Sequence, residues 1–332
     1  MTTLLGKKQS LIYTQRSNKS EKLKMNPYNP TEYEKLKLAF GEVAYNYKSN
    51  KNGNGQIIVF VHGITGGMFQ WEETAQYFYS IGYSVLTYDL FDLGESVCYS
   101  DIAAHHVMRI YLSTINELLF KLNITIPINL VGVSMGGGIA MAYAADFPEK
   151  VNKLCVCAPA GLPGTTPSAA KFLDYVPGIL FKFALRLFAS KAKEAYGDLA
   201  ESAENSSHLQ KIQEYGAYMY TKHGETYANG LLDTLRHFPL NTLKDKFEKV
   251  GKSSTCVLIC WGTKDRVVNS NLFFKACELI PNAKTFLLKG GGHTDLFALH
   301  KTEFRGALQN FLISKTPAEK IYGHFRNYRV KR

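Results

Sequence analysis

The chain has 332 residues, 45% apolar and 20% charged, a composition that fits one large α/β domain or two smaller ones. It contains no uninterrupted apolar run of roughly 18 residues or more, so no membrane-spanning helix is expected. The formal net charge of +11, from 39 Lys and Arg against 28 Asp and Glu, permits anionic partners without naming one. Nucleic acid would rest on that charge alone, with no recognised motif beside it, and is not the expected partner.

Residues 1–37 read as a basic tail and linker. Within residues 1–24, Lys7, Lys8, Arg16, Lys19, Lys22 and Lys24 stand against Glu21, and Asn26-Pro27-Tyr28-Asn29-Pro30 is turn material. The stretch lacks the apolar core of a signal peptide, and Arg16 is too isolated for a good mitochondrial leader. The expected compartment is therefore intracellular, the cytoplasm ahead of the mitochondrion, and not the secretory route. Residues 40–47 alternate apolar and polar and predict a first strand. The Lys/Asn/Gly-rich stretch 48–55 predicts a hairpin connection to a second strand, 56–61, whose continuous apolar run suits burial on both faces. That strand ends in His62-Gly63-Ile64-Thr65-Gly66-Gly67. A helix over 69–80 and a strand over 83–88 follow, the strand ending in Asp89-Leu90-Phe91-Asp92-Leu93-Gly94-Glu95-Ser96. A helix over 103–122 leads to the apolar strand 128–133. This strand runs into Gly132-Val133-Ser134-Met135-Gly136, then into a helix ending near Pro148.

Residues 151–157 predict another strand. From 162 to 240 the strand rhythm stops, and the composition is helical and rich in tyrosine. Strands resume at 255–261 and 285–288, followed by helices over 269–279 and 295–313. Residues 316–332 form a second basic tail. Strand–helix alternation of this kind predicts an α/β fold with a mostly parallel sheet covered on both faces. The core is then 38–161 with 241–315, and 162–240 is an insertion. Four of the six cysteines, Cys155, Cys157, Cys256 and Cys260, lie in the apolar strand runs, while Cys98 and Cys277 lie elsewhere. Buried free thiols are the expectation. Cys155 and Cys157 share a strand face but lack C-x-x-C or Cys/His spacing, so neither zinc nor any other cofactor is expected.

Strand, Gly-x-Ser-x-Gly turn and helix in that order form the setting of a nucleophile elbow. The flanking glycines let the turn be tight, and the helix aims its first N–H groups at an oxyanion formed on Ser134. A serine nucleophile needs a base, and the base needs an orienting acid. Two later strand ends carry those residue types: Asp265 in Trp261-Gly262-Thr263-Lys264-Asp265-Arg266, and His293 after Gly290-Gly291-Gly292. The order Ser134, Asp265, His293 is that of the elbow class, and ligands of parallel α/β sheets gather at the carboxyl ends of strands. The backbone N–H groups of Ile64 and Met135 are placed to form an oxyanion hole, with His62 holding the loop. Asp92, Asp101 and Asp295 read as loop or helix-cap residues.

Together these residues resemble the α/β-hydrolase family, in its cap-bearing esterase and lipase branch. The resemblance rests on His62-Gly63 with Gly66-Gly67, on Asp89 through Gly94 with Ser96, on 132–137, on Asp265 and on Gly292-His293. It implies a serine hydrolase with a helical lid at 162–240, acting on a carboxylic ester of an apolar acyl group as a carboxylesterase or monoacylglycerol lipase does. Amide, thioester or carbon–carbon bond hydrolysis by the same triad, and a non-catalytic interaction subunit, are the alternatives. An aspartate nucleophile is excluded because residue 134 is serine. Asp92-Leu93 departs from the family pattern in a loop that borders the pocket. The apolar stretch 172–189, with scattered Lys and Arg, and the basic tails leave open peripheral membrane contact beside a small apolar ester as the partner.

Overall fold

The computed structural model describes residues 33–98, 103–165, 215, 218, 219, 221–293, 295–298 and 301–314. Both basic tails up to 32 and from 315, the apolar stretch 172–189 and Asp101 lie outside these residues. No helix among the described residues is long and apolar enough to cross a membrane.

The strands are β1 (Glu34–Leu38), β2 (Gly41–Lys48), β3 (Ile57–Val61), β4 (Ser84–Tyr88), β5 (Val97–Cys98), β6 (Ile128–Val133), β7 (Val151–Cys157), β8 (Cys256–Gly262) and β9 (Lys284–Leu288). Among the described residues they form one sheet in the order β1-β2-β4-β3-β6-β7-β8-β9, with β5 paired to β2. From β4 to β9 each neighbouring pair is parallel; β1, β2 and β5 are antiparallel additions. The helices are α1 (Glu72–Ser80), α2 (Ala103–Lys121), α3 (Met135–Asp146), α4 (Glu225–His237), α5 (Lys244–Gly251), α6 (Leu272–Leu279), α7 (Asp295–Ala298) and α8 (Lys301–Ile313). The expected α/β sheet is therefore present, with an apolar cluster on each face.

Two local expectations are corrected. Glu34–Leu38, of which all but Leu38 was assigned to the tail, is an edge strand joined to β2 by a two-residue turn at Ala39 and Phe40. Only Leu36 and Leu38 of its five residues are apolar, so its pattern is short and half-polar, as edge strands are. The stretch 48–55 does not close a hairpin, because β2 pairs with β4 and β3 lies beyond β4. Strand β3 is buried along its whole length and needs a parallel neighbour on each side, which β4 and β6 supply.

Helix α3 sits at the centre. Residues 135–145 are all buried, and the helix is apolar all round, as a helix enclosed on every side must be. Its one carboxylate, Asp146, emerges at the end and pairs with Lys246 and Lys249 of α5. At the amino ends of the strands, Lys153 Nζ donates to the carbonyls of Phe311, Leu312 and Ser314 at 2.9, 2.6 and 2.9 Å. Lys284 Nζ donates to Ser314 Oγ at 2.9 Å. Two cations thus cap the C-terminus of α8, where the unpaired carbonyls and the helix dipole favour positive charge.

Candidate active site

Ser134 stands between β6 and α3 with φ 54° and ψ −122°, a left-handed backbone that a serine adopts only under constraint. Its N–H donates to the Cys157 carbonyl at 2.9 Å, and its carbonyl accepts from Gly138 and Ala160 at 3.1 and 2.8 Å. The strained residue is fixed by the end of β7, by the loop that follows it and by the first turn of α3. The turn closes because Gly132 and Gly136 lack side chains. A Cβ on Gly132 would meet the Gly136 carbonyl, and one on Gly136 would meet the carbonyls of Val61 and His62. Met135, the first residue of α3, is buried. Gly63 lies against Ser134: a Cβ on it would be 3.4 Å from the serine Cβ. Of the two expected oxyanion donors, Ile64 directly follows Gly63 and Met135 directly follows Ser134, and the N–H of neither donates to an acceptor among the described residues.

Asp265 and His293 come together across two strand-end loops. His293 Nδ1 is 2.7 Å from Asp265 Oδ2, with both residues buried. The other carboxylate oxygen, Oδ1, accepts the N–H groups of Val267 and Val268, each at 2.9 Å, so the acid is oriented by its own loop. The two loops are joined to one another. Thr263 N donates to the Leu288 carbonyl at 2.9 Å, Lys264 N to the Gly291 carbonyl at 2.8 Å, and Gly290 N to Thr263 Oγ1 at 2.8 Å. Asp295 Oδ2 accepts the Gly292 N–H at 2.6 Å, which makes Asp295 a brace of the histidine loop.

His62 and Asp89 hold the loop between them. His62 Nδ1 lies 2.7 Å from the Gly63 carbonyl, and the Leu90 N–H donates to Nε2 at 2.8 Å. The ring therefore carries its proton on Nδ1 and is neutral. Burial agrees, pushing its pKa from 6.5 down to about 4. Both ring nitrogens are engaged, which leaves His62 no free face to act as a base. Asp89 accepts the Met68 N–H on Oδ1 at 2.6 Å and the Glu95 N–H on Oδ2 at 2.8 Å. Burial outweighs these bonds and raises its pKa to about 6. Asp92 sits at φ 59° and accepts the Cys98 N–H at 2.9 Å, so the departure from the family pattern keeps the left-handed turn but fills it with a carboxylate. Sequence reading missed Glu95, although it lies inside the 89–96 stretch. Its partners, Tyr218, Lys222 and His223, are more than a hundred residues away.

All six cysteines are free. The Sγ atoms of Cys155, Cys157 and Cys260 lie within 4.8 Å of one another, brought together by the β7–β8 register. They are three ligands sealed in an apolar face, one short of a tetrahedral zinc set.

A sequence model described as alpha/beta hydrolase fold matches residues 56–298. The chain is 23% identical over 288 residues to Lipase 1 of Psychrobacter immobilis, covering 80% of this chain and 79% of the relative. It is 22% identical over 250 residues to the 2-hydroxy-6-oxo-6-phenylhexa-2,4-dienoate hydrolase of Comamonas testosteroni, covering 74% of this chain and 83% of the relative. Among solved structures it is similar to MGS-M2, an alpha/beta hydrolase enzyme from a deep-sea metagenome library. That match has a TM-score of 0.71 and 19% identity, and covers 87% of this chain and all of the other.

Proposed function

The chain belongs to the α/β-hydrolase fold family, and from that premise we propose that it is a serine hydrolase cleaving a carboxylic ester of an apolar acyl group through an acyl-enzyme. One observation carries the reading: a strained Ser134 at the carboxyl end of β6, with a His293–Asp265 pair at 2.7 Å in the loops after β8 and β9 at the same end of the sheet.

In this mechanism His293 Nδ1 is committed to Asp265, which leaves Nε2 to take the proton of Ser134 Oγ. The serine attacks the acyl carbonyl. Asp265 fixes the imidazole tautomer and stabilises the cation that forms. The N–H groups of Ile64 and Met135 receive the developing oxyanion, each contributing about 3 kcal/mol. His293 returns the proton to the leaving alcohol. It then takes a proton from the water that attacks the acyl-enzyme, and the acid departs.

Ser134→Ala tests the reading. Purified parent should hydrolyse p-nitrophenyl esters, and the variant should lose about 10⁴-fold or more in kcat while keeping its fold. A variant that turns over at the parent rate overturns it. Because one relative is named for a dienoate substrate, the panel includes a vinylogous diketone beside esters, anilides and thioesters. Preferential cleavage of the diketone would move the assignment to carbon–carbon bonds.

A further inference from the structure

Glu95 takes no part in the chemistry just described, yet its buried carboxylate gathers partners from a distant segment. Lys222 Nζ donates to Oε2 at 2.6 Å, the Tyr218 hydroxyl donates to Oε1 at 3.3 Å, and His223 Nε2 stands 3.5 Å from Oε2. These three residues directly precede α4, in the part of the chain expected to form the lid. The backbone of Glu95 faces the other way. Its N–H donates to Asp89 Oδ2 at 2.8 Å, and Asp89 Oδ1 takes the Met68 N–H at 2.6 Å. Met68 follows the 63–67 loop that carries Ile64. A second contact joins the same parts: the rings of Phe69 and Tyr215 are 4.2 Å apart.

A path of hydrogen bonds and the Glu95 backbone therefore leads from Tyr218 and Lys222 through Glu95 and Asp89 to Met68, which follows the loop bearing one expected oxyanion donor. Apolar side chains would seat that segment without the desolvation cost of the buried Glu95 carboxylate. A carboxylate adds direction instead, with one oxygen for Tyr218 and the other for Lys222. Burial works against the charge, but His223 and Lys222 outweigh it and hold the Glu95 pKa at about 2, so the link is ionised throughout the neutral range.

We infer that Glu95 is a positioning residue that sets the Ile64 loop according to how Tyr218, Lys222 and His223 are seated on the 89–96 loop. The inference rests on the serine-hydrolase reading and deepens it. Its test compares the parent with Glu95→Gln, Lys222→Met and the double variant in three measurements. These are kcat and KM on a short p-nitrophenyl ester, the rate at which a fluorophosphonate labels Ser134, and thermal unfolding.

Each single variant should lower kcat and the labelling rate about tenfold, with KM within about twofold, because a displaced donor weakens the transition state more than the bound ester. The double variant should be no slower than the slower single, since both cut one link. Folded Glu95→Gln that matches the parent in kcat and labelling overturns the inference and leaves the serine-hydrolase reading standing. So do single effects that multiply. A parent that is not labelled overturns both. If Glu95→Gln fails to fold, Lys222→Met carries the test alone, because its side chain is 40% exposed and its removal opens no core.

Discussion

The two ends of the parallel strands use polar groups in opposite ways. At the amino ends they complete other groups. Lys153 and Lys284 cap α8, and Asn129 links Gln56 to Asn152 at 3.1 and 2.9 Å. At the carboxyl ends they converge. Ser134, Asp265, His293, His62, Asp89 and Glu95 stand within a few short loops; all but the partly exposed Ser134 are buried, and Ser134 is strained. Strain and buried charge cost stability and persist where the surroundings over-determine them. The carboxyl ends thus carry the features of a site, and the amino ends carry the features of a brace. Substitutions at the first should change rate or pH response, and substitutions at the second should change stability alone.

The largest expected effect is on rate. Asp265→Asn keeps an oxygen for the Val267 and Val268 N–H groups but loses the charge and the tautomer control over His293. Its kcat should fall about 10⁴-fold with little change in urea midpoint. A loss of stability without a loss of rate would put Asp265 with the braces.

Asp89→Asn comes next, because its amide cannot accept both N–H groups well. It should cost about 1–3 kcal/mol in urea unfolding at neutral pH. The pH dependence sharpens this. Asp89 has a folded pKa of about 6 against 3.8 ordinarily, so its ionisation contributes stability present below about pH 4 and lost as pH rises through 6. His62 has a folded pKa of about 4 against 6.5, so its contribution is present above pH 6.5 and lost as pH falls through 4. The two offset each other in the parent. Asp89→Asn removes the opposing carboxylate effect, so between pH 4 and 6.5 its unfolding free energy should climb by about 2–3 kcal/mol more than that of the parent. A variant profile parallel to that of the parent would contradict this.

Lys153→Met should lower stability by about 1–2 kcal/mol through the uncapped end of α8 and leave kcat unchanged. A drop in kcat for the folded variant would break the contrast between the two ends. The smallest effect belongs to Lys35→Ala. This removes a partly exposed pair with Glu42 at 3.1 Å and should shift urea unfolding by no more than about 0.5 kcal/mol.

The parts written as local patterns were legible in the sequence. The elbow announces itself by Gly132, Ser134 and Gly136 between an apolar run and an alanine-rich helix. Asp265 and His293 follow strands and sit beside glycines, and the structure brings them into contact. What escaped was set by pairing between distant segments. Glu34–Leu38 has only two apolar residues to mark it, and its partner β2 defines it. The 48–55 stretch has hairpin composition, yet β4 displaces β3 as the neighbour of β2. Cys260 joins Cys155 and Cys157 through register alone. Glu95 carries no signal of its own, because nothing near it in the chain indicates Lys222.

The central claim is that Ser134 is a nucleophile activated by its surroundings, and covalent labelling tests it most directly. Folded protein treated with a fluorophosphonate and mapped by peptide mass spectrometry should carry one adduct, on Ser134. The adduct should be absent in Ser134→Ala and form far more slowly in His293→Ala. A folded parent that carries no adduct, or carries it on another residue, would contradict the account.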